Sequence, residues 1–423
     1  MRTPRVSRAV RTACAAAGAI AGVVTAGASS LGAQEALLPT AGWGLGSSIS
    51  AWHFAKPIPQ SGGALANIVE VAFPFRVRAA FGRWSFDLSG AGAVGAVHLT
   101  ANAATRGDTA SGDGGDGGGD RLVSIVGPTD VKLRLTGPLY GDKLLLTLGL
   151  NLPTGKVGLN ADETSALQAV GAPALRMPIG AFGTGAGATI GVIRAFEGDD
   201  WAIALGGSLE QRTEYSPIAL ALASGKAETR VAPGTAAHVT IGVDRPLGEN
   251  RWSLLLVGDV FTKDKVTLAG ADSSAANNDY KLGPQMTATT RIDIAASRWR
   301  ESAFNIGARL RSAFSDSAGV KVSGSSGTYF EGSIGGVRGG TEGTGLVVGL
   351  DGRWHSGLGF TDAMVGAAVT AVGVTLGFER LGTRSATRFI VHGQYGTFDT
   401  GTANTSGFGV TLGLSVGARR EAR

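Results

Sequence analysis

The stretch Phe408-Gly409-Val410-Thr411-Leu412-Gly413-Leu414-Ser415-Val416 divides cleanly into two alternating sets. Phe408, Val410, Leu412, Leu414 and Val416 form one, and Gly409, Thr411, Gly413 and Ser415 the other. Successive side chains of a strand point to opposite faces, so this is a strand with one apolar face and one small, polar face. The pattern recurs. At 144–152 the even positions are all leucine, with Thr147, Gly149 and Asn151 between them. At 130–136, Val131, Leu133 and Leu135 alternate with Asp130, Lys132, Arg134 and Thr136. At 304–311, Phe304, Ile306, Ala308 and Leu310 alternate with Asn305, Gly307, Arg309 and Arg311. An apolar and polar dyad repeated over about ten residues is the signature of a transmembrane β-barrel.

A soluble β-sandwich also alternates. Connection lengths separate the two folds. Short breaks fall near 81–83, 137–142, 196–200, 246–250 and 297–300, and long ones near 101–121, 153–178, 214–229, 264–281 and 315–327. Short periplasmic turns alternating with longer external loops belong to membrane barrels. Trp84, Trp201, Trp252 and Trp299 stand at or just after short breaks, where an amphipathic ring suits the headgroup level. The reading is therefore all-β: a single antiparallel transmembrane β-barrel over 34–423. Both termini should be periplasmic, so the strand number is even. Sixteen is expected, with strands near 328–337, 345–354, 365–380, 387–397 and 407–417 completing the set, and fourteen is the alternative. The apolar runs 177–193 and 363–378 are too short and too rich in Gly, Ala, Val and Thr for a spanning helix. A terminal aromatic, common on the last strand of such barrels, is absent.

Composition agrees with this reading. Of 423 residues, 68 are glycine and only 17% are charged, against 43% hydrophobic, which is low in charge for a soluble surface. Arg2, Arg5, Arg8 and Arg11 precede a short apolar core at 13–26. Residues 1–33 thus read as a cleaved secretory signal, ending after Ala28 or Ala33. That segment holds four arginines and no acid, so the formal charge of +5 falls to about 5 − 4 = +1 in the remainder. The high pI is no argument for nucleic acid, which leaves the candidate partners. The only cysteine is Cys14, in the signal, without a lipobox before it; no disulfide or thiolate–metal site is expected.

Several motifs carry less than they suggest. Gly413-Leu414-Ser415-Val416-Gly417 matches a nucleophile elbow but lies within a strand, with no helix to follow. Gly183-Thr184-Gly185-Ala186-Gly187 lacks the spacing and the helix of a nucleotide loop. Histidines 53, 98, 238, 355 and 392 are isolated, so no metal or other cofactor is expected. Asp108, Asp113, Asp116 and Asp120 sit among glycines at 106–121, in a spacing that fits no regular calcium loop and leaves calcium open.

The polar faces hold the candidate lumen and constriction residues: Lys132, Arg134, Glu210, Arg212, His238, Arg291, Asp293, Arg309, Arg311, Asp351, Arg353, Arg388 and His392. Opposed charges in a pore select solutes through a transverse field; the alternative is that they neutralise one another and fill the space. The pairs Arg309/Arg311 and Arg291/Asp293 are the sharper candidates for a constriction. Residues 153–178 are long enough to fold inward, with a short helix at 162–168.

The segment Leu150-Asn151-Leu152-Pro153-Thr154-Gly155-Lys156, a strand end followed by a long loop, resembles outer-membrane transport barrels of the phenol-degradation MetA type, which are similar in kind to fatty-acid channels. The resemblance spans about 130–214. It implies uptake of small hydrophobic or aromatic molecules and supplies no catalytic residues. The expected function is an outer-membrane channel or transporter, a porin-like protein with membrane lipid and a small solute as partners and an oligomeric state left open. Two rivals remain: a membrane-embedded lipid hydrolase or acyltransferase using His98 or His392, and a structural barrel with a plugged lumen.

Overall fold

The computed structural model describes residues 42–60, 63–101, 120–140, 144–222, 225–269, 279–339, 343–357, 368–400 and 404–418. The signal reading of 1–33, Cys14 and most of the acidic loop 106–121 lie outside the described residues. In chain order the strands are β1 (Trp43–Gln60), β2 (Gly63–Phe81), β3 (Trp84–Thr100), β4 (Arg121–Pro128), β5 (Val131–Leu139), β6 (Leu144–Leu152), β7 (Gly187–Glu197), β8 (Ala202–Arg212), β9 (Tyr215–Leu222), β10 (Gly225–Ala232), β11 (Ala236–Leu247), β12 (Asn250–Phe261), β13 (Lys263–Ala269), β14 (Tyr280–Lys281), β15 (Gln285–Asp293), β16 (Trp299–Arg311), β17 (Gly327–Arg338), β18 (Gly343–Ser356), β19 (Ala368–Leu381), β20 (Ser385–Asp399) and β21 (Asn404–Ala418). The helix α1 (Ala161–Val170) interrupts them after β6.

Antiparallel pairing runs from each barrel strand to the next and returns to the start, β1 meeting β21 from Gly44 opposite Gly417 to Phe54 opposite Gly407. The result is a closed barrel of sixteen strands. Two details were not expected. β4 and β5 are two halves of one strand, both paired with β3 and broken at Thr129 and Asp130. The stretches expected as loops at 214–229 and 264–281 instead contain the strands β9, β10, β13 and β14 among their described residues, joined as a four-stranded sheet in the order β14-β13-β10-β9. No described helix is long and apolar enough to cross a membrane; 363–378 largely enters β19, and 177–193 is loop followed by β7. The Gly-x-Ser-x-Gly motif lies wholly within β21.

The exterior carries exposed apolar side chains on alternate positions, such as Val69, Phe73, Leu148, Leu150, Ile190, Leu205, Leu350, Val374 and Leu412. Aromatic pairs bound this band. Phe330 and Trp354 stack across β17 and β18 at 5.9 Å near the outer rim, and Phe378 and Phe389 meet at 5.5 Å across β19 and β20 near the inner rim. From Leu346, level with Phe378, to Trp354 the strand advances by about 27 Å. At the usual tilt that is about 20 Å of height, close to the apolar band of such barrels.

The inner rim is built from tight turns and indoles. Gly82, between β2 and β3, takes left-handed backbone (φ +59°), which favours glycine. Trp84 then lies flat across the adjacent strand: a Cβ on Gly137 would come within 2.1 Å of the indole ring. Replacing Gly137 with leucine should lift that ring off the barrel and cost about 1–3 kcal/mol. The check is the unfolding midpoint read from heat-modifiable gel mobility; an unchanged midpoint would contradict the packing described here.

Candidate functional site

Between β6 and β7 the chain does not stay outside. Residues 153–186 turn into the barrel, and the turn is organised by one buried carboxylate. Asp130, at the break between β4 and β5, is 5% exposed. It accepts hydrogen bonds from Gly155 N (2.8 Å), Thr184 N (2.7 Å), Thr184 Oγ1 (2.8 Å) and Asn151 Nδ2 (2.9 Å). Both ends of the inserted loop are thus tied to one side chain. Its backbone N–H donates to Phe182 O, and Lys156 N donates to Pro128 O, both at 3.1 Å. The interruption of the strand therefore frees main-chain groups for the loop. Thr154, of the Leu-Pro-Thr-Gly-Lys motif, completes the joint by accepting from Val131 N (2.9 Å) and donating to Thr129 O (3.1 Å).

The helix α1 follows at once. Asn160 caps it, accepting from Glu163 N at 2.9 Å while Glu163 accepts from Asn160 N at 3.2 Å, a reciprocal capping box. Lys156 Nζ donates to Glu163 Oε1 at 2.5 Å. The helix falls at 161–170, against the expected 162–168. It buries Ala166, Ala169 and Val170 against the inner wall of β3, so closely that a Cβ on Gly95 would meet Val170 Cγ2 at 2.8 Å.

The inner face of β1–β4, with Val369 and Phe398, is apolar and packs the loop. Trp52, Phe54 and Phe398 form its aromatic centre, at centroid distances of 5.2–6.1 Å. The far end of the loop is fastened by polar clamps. Trp52 Nε1 donates to Leu175 O (3.1 Å), Ile179 N donates to Glu70 Oε1 (2.8 Å), and Arg353 Nη2 donates to Ala174 O (3.0 Å). Arg176 holds left-handed backbone (φ +50°), unusual for a residue with a side chain, and its guanidinium meets the Tyr329 hydroxyl and the Glu331 carboxylate. The root of the loop belongs to β5, β6 and β7, whereas Arg176 reaches β17. In a sixteen-stranded ring those positions face each other. The loop therefore crosses the lumen, leaning on the apolar wall of β1–β4 rather than on the inner faces of β7–β16.

All thirteen residues singled out from the sequence stand on strand positions opposite in parity to the exposed apolar rows: β5 carries Lys132 and Arg134, β8 Glu210 and Arg212, β11 His238, β15 Arg291 and Asp293, β16 Arg309 and Arg311, β18 Asp351 and Arg353, and β20 Arg388 and His392. Several neutralise one another locally. Arg212 Nε donates to Glu210 and Arg291 Nε to Asp293, both at 2.6 Å; His392 Nε2 lies 3.0 Å from Asp351. His238 pairs with Asp259 at 2.7 Å, and Arg388 Nε with Glu379 at 2.6 Å. Arg309 and Arg311 lie in the outer third of β16, near the crossing point of the loop, while Arg291 and Asp293 lie at the inner end of β15, away from it. Sequence reading missed Asp130, Glu70, Arg176, Asp259, Tyr329, Glu331 and His355. Parity with Arg309 and Arg353 could have found Tyr329, Glu331 and His355; nothing in the sequence placed Arg176. Of the candidate bases, His392 bonds Asp351, and His98 lies on the outer face beside Asn67 (3.4 Å) and Asp120 (3.8 Å). No serine or threonine hydroxyl is recorded bonding either imidazole among the described residues.

No family model matches the chain, and no curated protein matches it. It is similar to solved outer-membrane proteins. One is Pseudomonas aeruginosa OccK2 (OpdF) in complex with glucuronate, with TM-score 0.41 and 11% identity over 91% of this chain and 98% of that one. Another is Pseudomonas putida OprB, with TM-score 0.40 and 10% identity over 89% and 94%. A loop-deletion form of OmpT of Vibrio cholerae gives 0.34 and 10% over 88% and 98%. At these scores the assignment rests on the strand pairing and the apolar band. The chain is a closed sixteen-stranded β-barrel with the apolar outer band of a transmembrane one.

Two outcomes test the loop. Asp130→Ala leaves buried donors unsatisfied, each costing about 1–3 kcal/mol, and should expose Lys156 and Arg176 to trypsin; equal cleavage rates in both proteins would contradict the latch. Burial alone would raise the Glu163 carboxyl, but the Lys156 and Asn160 hydrogen bonds outweigh it and hold the group below its ordinary range. A depressed pKa adds stability that is present above the free value of about 4.3 and lost as pH falls through the folded value. Helix protection in hydrogen exchange should therefore persist at neutral pH and fade only in acid.

Proposed function

We propose that the barrel is a passive channel whose solutes pass between the crossing loop and the polar arc of β7–β17, with residues 1–33 as its export signal. The observation that supports this is the asymmetry of the inner wall. The loop takes up the larger apolar side, so the space left to a solute is bordered mainly by serine, threonine, glycine and charged side chains, with a small apolar patch at Ile193 and Ala204. That border favours hydrophilic solutes over the hydrophobic or aromatic ones implied by the resemblance at 150–156, whose motif serves here as the root of the loop. The inward candidates from Lys132 round to His392 would then line the path, those along β8, β11, β15 and β16 most directly. Selection would follow size at the loop and charge along the arc.

Refolded protein in planar bilayers should give discrete conductance steps, and removal of 161–179 should raise the conductance severalfold by widening the opening. A barrel that folds, shows heat-modifiable mobility and passes neither ions nor sugars would sink this reading in favour of a plugged structural barrel.

A further inference from the structure

A recess opens in the inner wall of β15–β19, just inward of the loop tip. Its volume is about 280 Å³, and Arg291, Asn305, Ser333, Asp351 and Thr375 border it. Asp351 precedes Arg353, the clamp on Ala174 O, by two residues, or about 7 Å of strand. A solute passing the loop would meet the recess next. The charges around it are answered. Arg291 Nε donates to Asp293 at 2.6 Å, and Asp351 Oδ1 lies 3.0 Å from His392 Nε2. Arg176 and Arg353 act on Asp351 as well. Glu301, at the edge of the recess, lies 3.8 Å from Arg388. Hydrogen-bonding capacity is nonetheless left over. Asn305 Nδ2 donates to Ser333 Oγ at 3.2 Å, but among the described residues Asn305 Oδ1, Asp351 Oδ2 and Thr375 Oγ1 take part in no hydrogen bond.

The floor of the recess carries almost no side chain: Ala303, Gly335 and Gly349 form it. At Gly335 the backbone explains the glycine, since a Cβ would come within 2.7 Å of Val348 O. At Gly349 packing does not demand one. A Cβ there would make ordinary contact, 3.5 Å from Thr375 Cβ and 3.7 Å from Ile334 O. The missing side chain instead keeps the recess open. A flat, apolar floor inside a rim of mixed donors and acceptors suits one class of molecule. A sugar ring offers C–H groups on its faces and hydroxyls round its edge, and each hydroxyl both donates and accepts. Neighbouring hydroxyls also match the two oxygens of a carboxylate and the paired N–H groups of a guanidinium. An ion would have to displace a partner already in place; a neutral polyol would not. The volume equals about nine waters at about 30 Å³ each, room for a single six-membered ring.

We propose that the recess is a binding subsite for one ring of a neutral polyhydroxylated solute, a sugar or cyclic polyol. This deepens the channel reading and rests on it for the transport step, though not for binding. One face of the ring lies on Ala303, Gly335 and Gly349, and its edge hydroxyls reach Asp351, Asn305 and Thr375. The site grips the ring from one side only, so the solute is held loosely enough to leave again.

Two measurements test it. Glucose added to the conducting barrel in a planar bilayer should block the ion current saturably. Gly349→Val, which fills the floor, and Asn305→Ala, which removes an acceptor, should each weaken that block about three- to tenfold. Ser208→Ala, on β8 and outside the recess, should leave it unchanged; heat-modifiable mobility verifies that each variant is folded. A conducting wild type that glucose does not block, or equal weakening by Ser208→Ala, overturns the subsite and leaves the channel standing. Saturation-transfer NMR on the detergent-folded barrel reads the site even without conductance. The ring protons of glucose should receive magnetisation from the wild type, and the signal should fall in Gly349→Val and Asn305→Ala. Absence of transfer, a signal unchanged in both folded variants, or displacement of glucose by equimolar alanine or inorganic phosphate, which marks a site for ions, overturns the proposal.

Discussion

A bilayer offers no partner to an exposed N–H or C=O, so each such group within the apolar band must be paired inside the protein. The β1–β21 ladder satisfies this for the last two edges and closes the sheet. Everything else depends on that closure. It turns the strand dyad into an outside and an inside, puts Leu148 and Leu150 toward lipid, and commits Gly149 and Asn151 to an enclosed space. Once the wall is sealed, a segment can be irregular only where protein or water surrounds it, and the interior provides such a place for 153–186.

That segment is held by few but well-buried polar contacts at its ends, with small and aliphatic side chains between them. Asp130 gathers the root, while Glu70, Trp52 and Arg353 receive the tip. Glu70 and Arg353 would be expensive to bury without a task. Each spends hydrogen bonds on loop backbone that has left regular structure. The lipid-like packing of α1 against Gly95, Val97 and Ile125 then fixes the loop to one side, which makes the lumen asymmetric.

The barrel was legible in the sequence because period-two alternation is local and membrane burial enforces it strand by strand. Strand number followed from parity and from the rhythm of connections, and the inward loop from its length. What escaped reading was long-range. The break at Asp130 looks in sequence like one more polar position of an alternating strand, and only the folded loop explains why the ladder stops there. The hairpins β9–β10 and β13–β14 lie in stretches whose length alone suggested loops. Arg176 sits in no periodic segment, so its contact with Tyr329 and Glu331 had no local signature.

The partners of Asp130 all come from residues 151–184, neighbours in the chain, whereas the far clamps come from β1, β2, β17 and β18. This difference orders assembly. The latch can form within a growing hairpin of β5, β6 and β7, while the sheet is still open and one side of the future lumen is accessible. The clamps from Tyr329, Glu331 and Arg353 cannot form until β17 and β18 arrive. The loop need not be threaded into a finished cylinder, since the sheet can curl around it. The segment that narrows the passage then also serves as an internal former on which the cylinder closes.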